Sequence, residues 1–259
     1  MQTVKLEDRL SLSLNPQHAT ITLRCDDPSL KTDASNLVYR AAAAVIEETG
    51  HPVGVDIVLD KRIPMGAGLG GGSSDAAATI IGLNRLLNLQ WSLGKMTQVG
   101  QALGSDVPFF LYAPAAIVEG RGEKVTSVQI EGTRWIVLVN PGFPVETKWA
   151  YQQLSASRTG VVPVSPSHAA LGTERPLMWD EVVKQAENDF ETPVFKTHPA
   201  LRDIQQQLFA KGAEAALLSG SGATVFGVFS DKADAQRAQE TFLSEPRFKV
   251  FMVESQARA

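Results

Sequence analysis

Apolar and polar residues alternate through Arg9-Leu10-Ser11-Leu12-Ser13-Leu14 and again through Ala19-Thr20-Ile21-Thr22-Leu23, with the turn-prone Asn15-Pro16-Gln17-His18 between. That period of two predicts a β-hairpin. The pattern then changes to an unbroken run of helix formers from Asn36 to Gly50, with Ser35 as capping residue and Gly50 as terminator, which predicts a helix. Val55-Asp56-Ile57-Val58-Leu59 reads as a strand, and beyond Lys61-Arg62-Ile63-Pro64 a glycine cluster leads into a helix that begins near Ser74 and ends at Leu87. Residues 92–103 predict a further helix, closed by Gly104-Ser105-Asp106-Val107-Pro108-Phe109-Phe110, and Ala116-Ile117-Val118 and Trp135-Ile136-Val137-Leu138-Val139 predict strands.

The second half repeats the mixture. Helices are predicted near 178–188, 199–211 and 231–244, and strands over 215–218, 224–229 and 247–253, with Ser219-Gly220-Ser221-Gly222-Ala223 joining the first two strands. This reads as an α+β layer resembling a ferredoxin-like half. Ser155 to Pro176 is rich in Ser, Thr, Pro and Gly without sustained periodicity and reads as a surface loop or flexible insertion.

At 259 residues and 44% hydrophobic, the chain can bury one large core or two ordinary ones. A net charge of -4 supplies no positive field of the kind that draws a protein to nucleic acid or an anionic membrane, so neither is expected as a partner. Cys25 stands alone, which excludes an intramolecular disulfide and a cysteine-rich zinc site and fits a reducing compartment. The four histidines, His18, His51, His168 and His198, lack metal-ligand spacing. No apolar run approaches the roughly 18 to 20 residues that span a bilayer, and Met1 to Asp8 lacks the apolar core of a signal peptide, so a soluble, cytoplasmic protein is expected.

The chemistry concentrates at Pro64-Met65-Gly66-Ala67-Gly68-Leu69-Gly70-Gly71-Gly72-Ser73-Ser74, where five glycines precede a helix. Glycine loses more freedom on folding than any other residue, a cost usually met where backbone must approach something closely. A phosphate is the natural candidate, because bare peptide units turn several N–H groups toward an anion and the helix start adds its unpaired amides. The bland reading is tight strand-to-helix packing. Gly66, Gly68 and Gly71 also satisfy the dinucleotide Gly-x-Gly-x-x-Gly pattern, but about 20 residues on, where that fold places an acidic residue at a strand end, stands Leu89-Gln90-Trp91-Ser92. No P-loop and no protein-kinase motif set is present.

The stretch from Pro64 to Ala77 resembles the ATP-binding loop of the galactokinase, homoserine kinase, mevalonate kinase and phosphomevalonate kinase (GHMP) superfamily. With Gly-Ser-Asp-Val-Pro-Phe-Phe at 104–110, Asn-Asp-Phe-Glu at 188–191 and Leu-Leu-Ser-Gly-Ser-Gly-Ala-Thr-Val-Phe-Gly at 217–227, the chain is similar to the branch whose substrate carries a cytidine diphosphate group, over nearly its whole length. The resemblance implies an α+β GHMP kinase fold: an N-terminal ribosomal-protein-S5-domain-2-like half over 1–133 and a C-terminal ferredoxin-like half over 134–259. It implies phosphorylation of an alcohol with ATP and Mg²⁺. Asp106 matches the family's catalytic Asp and would accept the hydroxyl proton; a helix-cap or turn role is the alternative. Ser73 and Ser74 would meet phosphate or Mg²⁺, or merely cap the helix. Asn36, Leu37 and Lys61 match the surroundings of the adenine, with a plain solvated lysine the alternative at 61. Thr147 and Tyr151 match the substrate region, where Tyr151 would stack on cytosine or else pack into the core. Gly220, Ser221 and Gly222 resemble the third glycine motif or form a tight hairpin turn.

Family members usually open with a Lys-bearing strand pair and a Tyr-His pair that reads the cytidine, and Met1-Gln2-Thr3-Val4 resembles a position further inside the first domain. Weak or absent turnover of the chain as written is therefore expected, since losing one electrostatic partner costs on the order of 100- to 1000-fold in rate. The alternatives are a homoserine- or mevalonate-type kinase and a non-catalytic nucleotide-binding relative.

Overall fold

The computed structural model of the chain describes residues 1–157 and 175–257. Contacts group these into two compact units: Met1, Leu6–Met65 and Gly70–Ser127 form one, and Gln2–Lys5, Gly66–Leu69 and Val128–Ala259 the other.

In the first unit, strands β1 (Arg9–Asn15), β2 (Ile21–Cys25) and β3 (Gly54–Asp60) form a sheet in the order β1-β3-β2. The hairpin expected between β1 and β2 is therefore not formed. β3 inserts between them, antiparallel to β1 and parallel to β2. Its inward residues Val55, Ile57 and Leu59 are fully buried, so the most apolar strand takes the centre. Closure of the Asn15–His18 turn over the start of β3 requires glycine there: a methyl group at Gly54 would stand 1.8 Å from the His18 carbonyl oxygen and 2.4 Å from that of Asn15.

Helices α1 (Leu37–Thr49) and α2 (Gly71–Leu86) pack on this sheet through a core that includes Val38, Ala41, Ala42 and Val45 of α1, Ala76, Ala77, Ile80 and Leu83 of α2, and the β3 residues. The cap of α1 is Asn36 rather than Ser35: Asn36 Oδ1 accepts from the Val38 N–H, while Ser35 bonds to Asp33. Gly50 ends the helix in the left-handed conformation, as its position predicts. α2 starts at Gly71, earlier than the expected Ser74, so the last glycines belong to its first turn. α3 (Leu93–Leu103) is capped by Ser92. A short helix α4 (Val107–Tyr112) follows where only a closing segment was expected, and β4 (Ala116–Glu119) pairs with β5 (Lys124–Ser127), which the periodicity did not reveal.

The second unit carries β6 (Ile130–Glu131), β7 (Trp135–Asn140), α5 (Thr147–Ser157), β8 (Leu177–Met178), α6 (Trp179–Lys184), α7 (Glu191–Thr197), α8 (Pro199–Ala210), β9 (Ala215–Leu218), β10 (Val225–Phe229), α9 (Lys232–Leu243) and β11 (Lys249–Glu254). Its four-stranded antiparallel sheet runs β11-β7-β10-β9, the ferredoxin-like order, over a core of Leu201, Ile204, Leu208, Phe229 and Phe242 among others. Of the segment expected to be a loop from Ser155 to Pro176, Ser155 to Ser157 complete α5, and 158–174 lie outside the described residues. α6 ends before the expected 188, and α7 was not foreseen. The edge strand β9 is blunted by side chains: Glu191 accepts from the Leu218 N–H and Gln205 donates to the Ala216 carbonyl, each at 2.8 Å.

Gly54→Ala should lower unfolding stability by about 2–4 kcal/mol, since the added carbon meets backbone atoms that cannot swing aside. A shift in the urea midpoint with unchanged slope would report it; an unchanged midpoint would contradict the described closure.

Candidate active site

The glycine run begins in the second unit. Gly66, Gly68 and Gly70 all have positive φ (62°, 74° and 68°), with Ala67 and Leu69 between them at negative φ. Such alternation of hand turns successive amides toward one side, the geometry of an anion nest. Ser219 Oγ donates to the Gly68 carbonyl at 2.8 Å and the Thr224 N–H to that of Ala67 at 3.2 Å. A methyl group at Gly68 would lie 2.1 Å from the Ser219 carbonyl oxygen, so glycine is also a packing requirement at that position. Pro64 is half-buried and Met65 exposed.

In the first unit, Gly70 precedes α2 and offers no side chain to cap it. The first helical bond runs from the Ser74 N–H to the Gly70 carbonyl at 2.9 Å, so the amides of Gly71, Gly72 and Ser73 stand ahead of the intrahelical ladder. Ser74 Oγ turns back to the Gly71 carbonyl at 2.7 Å. Ser73 Oγ has no hydrogen-bond partner among the described residues. Neighbours crowd two of these glycines: methyl groups at Gly70 and Gly71 would lie 2.9 Å from the Phe110 ring and from Ile63 Cγ2. Gly72 differs, because a methyl group there would meet nothing closer than Leu37 Cδ1 at 3.6 Å, an ordinary contact, and its φ is not positive. Neither packing nor backbone strain requires glycine at 72.

Several residues singled out in the sequence converge on this helix start. Leu37 flanks Gly72, and Lys61 Nζ lies 3.4 Å from a methyl position on Gly71. Lys61 is not a solvated lysine. Its side chain is 6% exposed, pairing with Asp8 and, at 3.0 Å, with Asp75 Oδ2. Asp8 Oδ1 also accepts from the amides of Arg62 and Ile63 at 2.5 and 2.9 Å. Burial disfavours the ammonium, yet the bonds and charges of the two carboxylates outweigh it and raise the Lys61 pKa. Burial pushes the Asp75 carboxyl up to about 6, with Asp8 adding to the rise and Lys61 opposing it. Asp8 and Asp75 escaped the sequence reading. The signal for Asp75 was an acid among Ala76, Ala77, Thr79 and Ile80 on the inward face of a helix; Asp8, 53 residues from Lys61, gave none. The amide of Asn36 is spent locally, its Nδ2 donating to the Lys31 carbonyl while its Oδ1 caps α1.

Asp106 occupies the cap position of α4 but makes no capping bond, unlike Asn36, Ser92 and Asp231, whose side chains do cap their helices. Its carboxylate is exposed and has no hydrogen-bond or ion-pair partner among the described residues. α4 packs on α2, and Phe110, one turn beyond Asp106, is the residue whose ring presses on Gly70.

In the second unit, Thr147 opens α5, its hydroxyl 3.0 Å from that of Ser221. Tyr151, one turn on, is 58% exposed and meets Phe190 edge-on at 4.9 Å. Trp149 and Ala150 take the core side of the same helix. The 219–224 turn does join the β9–β10 hairpin, and Asn188 braces it by donating to the carbonyls of Leu218 and Gly220, both at 2.8 Å. Among the described residues no cluster of His, Cys, Asp and Glu could hold a metal, and no helix is long and apolar enough to cross a membrane.

The GHMP kinases N terminal domain and GHMP kinases C terminal families match residues 36–114 and 169–246. A curated 4-diphosphocytidyl-2-C-methyl-D-erythritol kinase of Syntrophotalea carbinolica is 43% identical over 254 residues, 98% of this chain and 88% of its own. A solved 4-(cytidine 5'-diphospho)-2C-methyl-D-erythritol kinase is 32% identical at a TM-score of 0.75, covering 98% of this chain and 88% of that one. The chain belongs to the 4-diphosphocytidyl-2-C-methyl-D-erythritol kinase family. Homoserine kinase of Cytophaga hutchinsonii superposes with a TM-score of 0.80 at 20% identity, covering 98% and 87% of the two chains, which shows the shared fold alone.

Asp75 makes stability depend on pH. Its folded pKa of about 6 exceeds the unfolded value near 3.9, so the folded state binds the extra proton between them and stability falls as pH rises from about 4 to about 6. The raised Lys61 pKa acts only in alkaline solution, where stability present below the unfolded lysine pKa is lost as pH climbs through the folded one. Asp75→Asn should remove this fall in stability with rising pH; melting temperatures from pH 4 to 7 that keep the same slope in this variant would contradict the assignment.

Proposed function

We propose that the chain transfers the γ-phosphoryl group of ATP to the 2-hydroxyl of 4-diphosphocytidyl-2-C-methyl-D-erythritol, in the cytoplasm, as a step of non-mevalonate isoprenoid precursor synthesis. The observation that carries this reading is the start of α2, where the amides of Gly71, Gly72 and Ser73 have no acceptor among the described residues and Gly72 is bare for no internal reason. Those amides receive the phosphates of the nucleotide, with Leu37 beside them. Asp106 accepts the hydroxyl proton as the acceptor oxygen bonds to the γ-phosphorus and the bond to the bridging oxygen breaks, releasing ADP. Its lack of a competing partner among the described residues supports that role. Ser73 Oγ, the loop hydroxyl without a hydrogen-bond partner among the described residues, would be the chain's own ligand for Mg²⁺, which would supply neutralisation of the phosphate charge.

Thr147 and Tyr151 contact the acceptor in this reading. Tyr151 keeps an exposed ring on which a pyrimidine can stack, and the hydroxyls of Thr147 and Ser221 provide polar partners.

Incubation with MgATP and a panel of alcohols should release ADP with the cytidine-diphosphate-bearing acceptor and not with homoserine or mevalonate; release on either of the latter instead would overturn the substrate assignment. Asp106→Asn should cut kcat by about 100- to 10,000-fold with ATP affinity unchanged. Gly72→Ala should leave the melting temperature unchanged or slightly raised, because alanine is favoured over glycine in a helix by roughly 0.5–1 kcal/mol, while weakening ATP binding. Unweakened binding in that variant would remove the phosphate from the start of α2.

A further inference from the structure

Asp8, Lys61 and Asp75 have side chains 1%, 6% and 4% exposed, and none of them is used in the reaction as described above. We propose that these three residues form a positioning cluster that fixes the first turn of α2 and thereby sets the affinity of the chain for the triphosphate of ATP.

The geometry of the clamp is specific. Asp8 Oδ1 binds two successive amides, of Arg62 and Ile63, and its Oδ2 binds Lys61, so one carboxylate fixes the whole exit from β3. Ile63 and Lys61 are the side chains that lie against Gly71, with 2.9 and 3.4 Å to its methyl position. Lys61 then reaches Asp75, in the same helix one turn further on. The strand exit and the helix start are thereby tied together by a single ammonium group, next to the turn whose first three amides stand ahead of the intrahelical ladder. A loop rich in glycine cannot hold those amides by its own stiffness.

The charge arrangement supports the same role. A lone buried ammonium at the positive end of a helix would be repelled by the helix dipole, and two carboxylates more than neutralise it. Replacing a buried ion pair by apolar residues often leaves stability unharmed, so stability alone gives little reason to keep three buried charges here, whereas fixed geometry does. Burial and the neighbouring Asp8 favour a proton on Asp75 near pH 6, which would leave a neutral triad that still holds its hydrogen bonds.

This inference rests on the kinase reading, so the binding of a non-hydrolysable ATP analogue to the unaltered chain is measured first. No binding there would refute the kinase reading itself. Given binding, Lys61→Met and Asp75→Leu should weaken ATP affinity at least tenfold, raising KM for ATP while KM for the acceptor alcohol stays within twofold. Asp75→Asn, which keeps a hydrogen-bond acceptor for Lys61, should restore ATP affinity to within threefold. Folded Lys61→Met or Asp75→Leu protein with unaltered ATP affinity, or an equal rise in both KM values, would overturn the proposal. Should neither variant fold, Lys61→Arg decides: its longer fork must displace the strand exit, and ATP affinity unchanged in that variant also overturns it.

Discussion

Four backbone amides at the start of any helix lack an intrahelical acceptor, and a protein normally satisfies them with a side chain at the cap position. In the first unit α1 and α3 follow that rule through Asn36 and Ser92, while α2 follows a left-handed glycine and is left uncapped. Several side chains of the unit close on that uncapped turn. Ile63 and Lys61 close on Gly71, Phe110 closes on Gly70 and Leu37 stands by Gly72, so the turn is held from several sides while its amides stay available. Packing around the turn therefore does what a capping side chain would otherwise do, without occupying the amides.

Two polar devices of different kind keep glycine-rich backbone in place. In the first unit it is a buried ion cluster, in which Asp8 binds both a charged group and two peptide amides. In the second unit it is a set of neutral and charged hydrogen bonds. Asn188 holds the carbonyls of Leu218 and Gly220, and Glu191 the amide of Leu218. The 219–224 turn in its own right fixes the carbonyls of Ala67 and Gly68. The Asn-Asp-Phe-Glu stretch at 188–191 thus braces the glycine turn that follows β9. In each unit glycine supplies a backbone shape that polar side chains from elsewhere then hold.

Shape and chemistry separate clearly among the solved relatives. The homoserine kinase superposes with a TM-score of 0.80 at 20% identity and the cytidine-type kinase with 0.75 at 32%. The fold is thus common property, and the choice of alcohol is a matter of side chains placed on it.

The sequence by itself determined what depends on neighbours along the chain. The period of α1 with its Gly50 end, the strand character of β3, the glycine series with its following helix, and the ferredoxin-like succession of the second half all follow from local propensity and patterning. The family itself was legible as well, through motif resemblance, and the curated and solved kinases bear it out. What only the tertiary structure decided involves partners far apart. Whether β1 and β2 pair depends on a third strand that arrives later and is more apolar than either, and no turn signal encodes that competition. The fate of Lys61 was equally hidden, because an ammonium group is solvated or buried according to whether carboxylates 53 residues before and 14 residues after it fold onto the same spot. Local physics sets each element's form, but a buried charge is tolerable only when distant chain supplies its counter-charge, and that is known only once the chain has closed on itself.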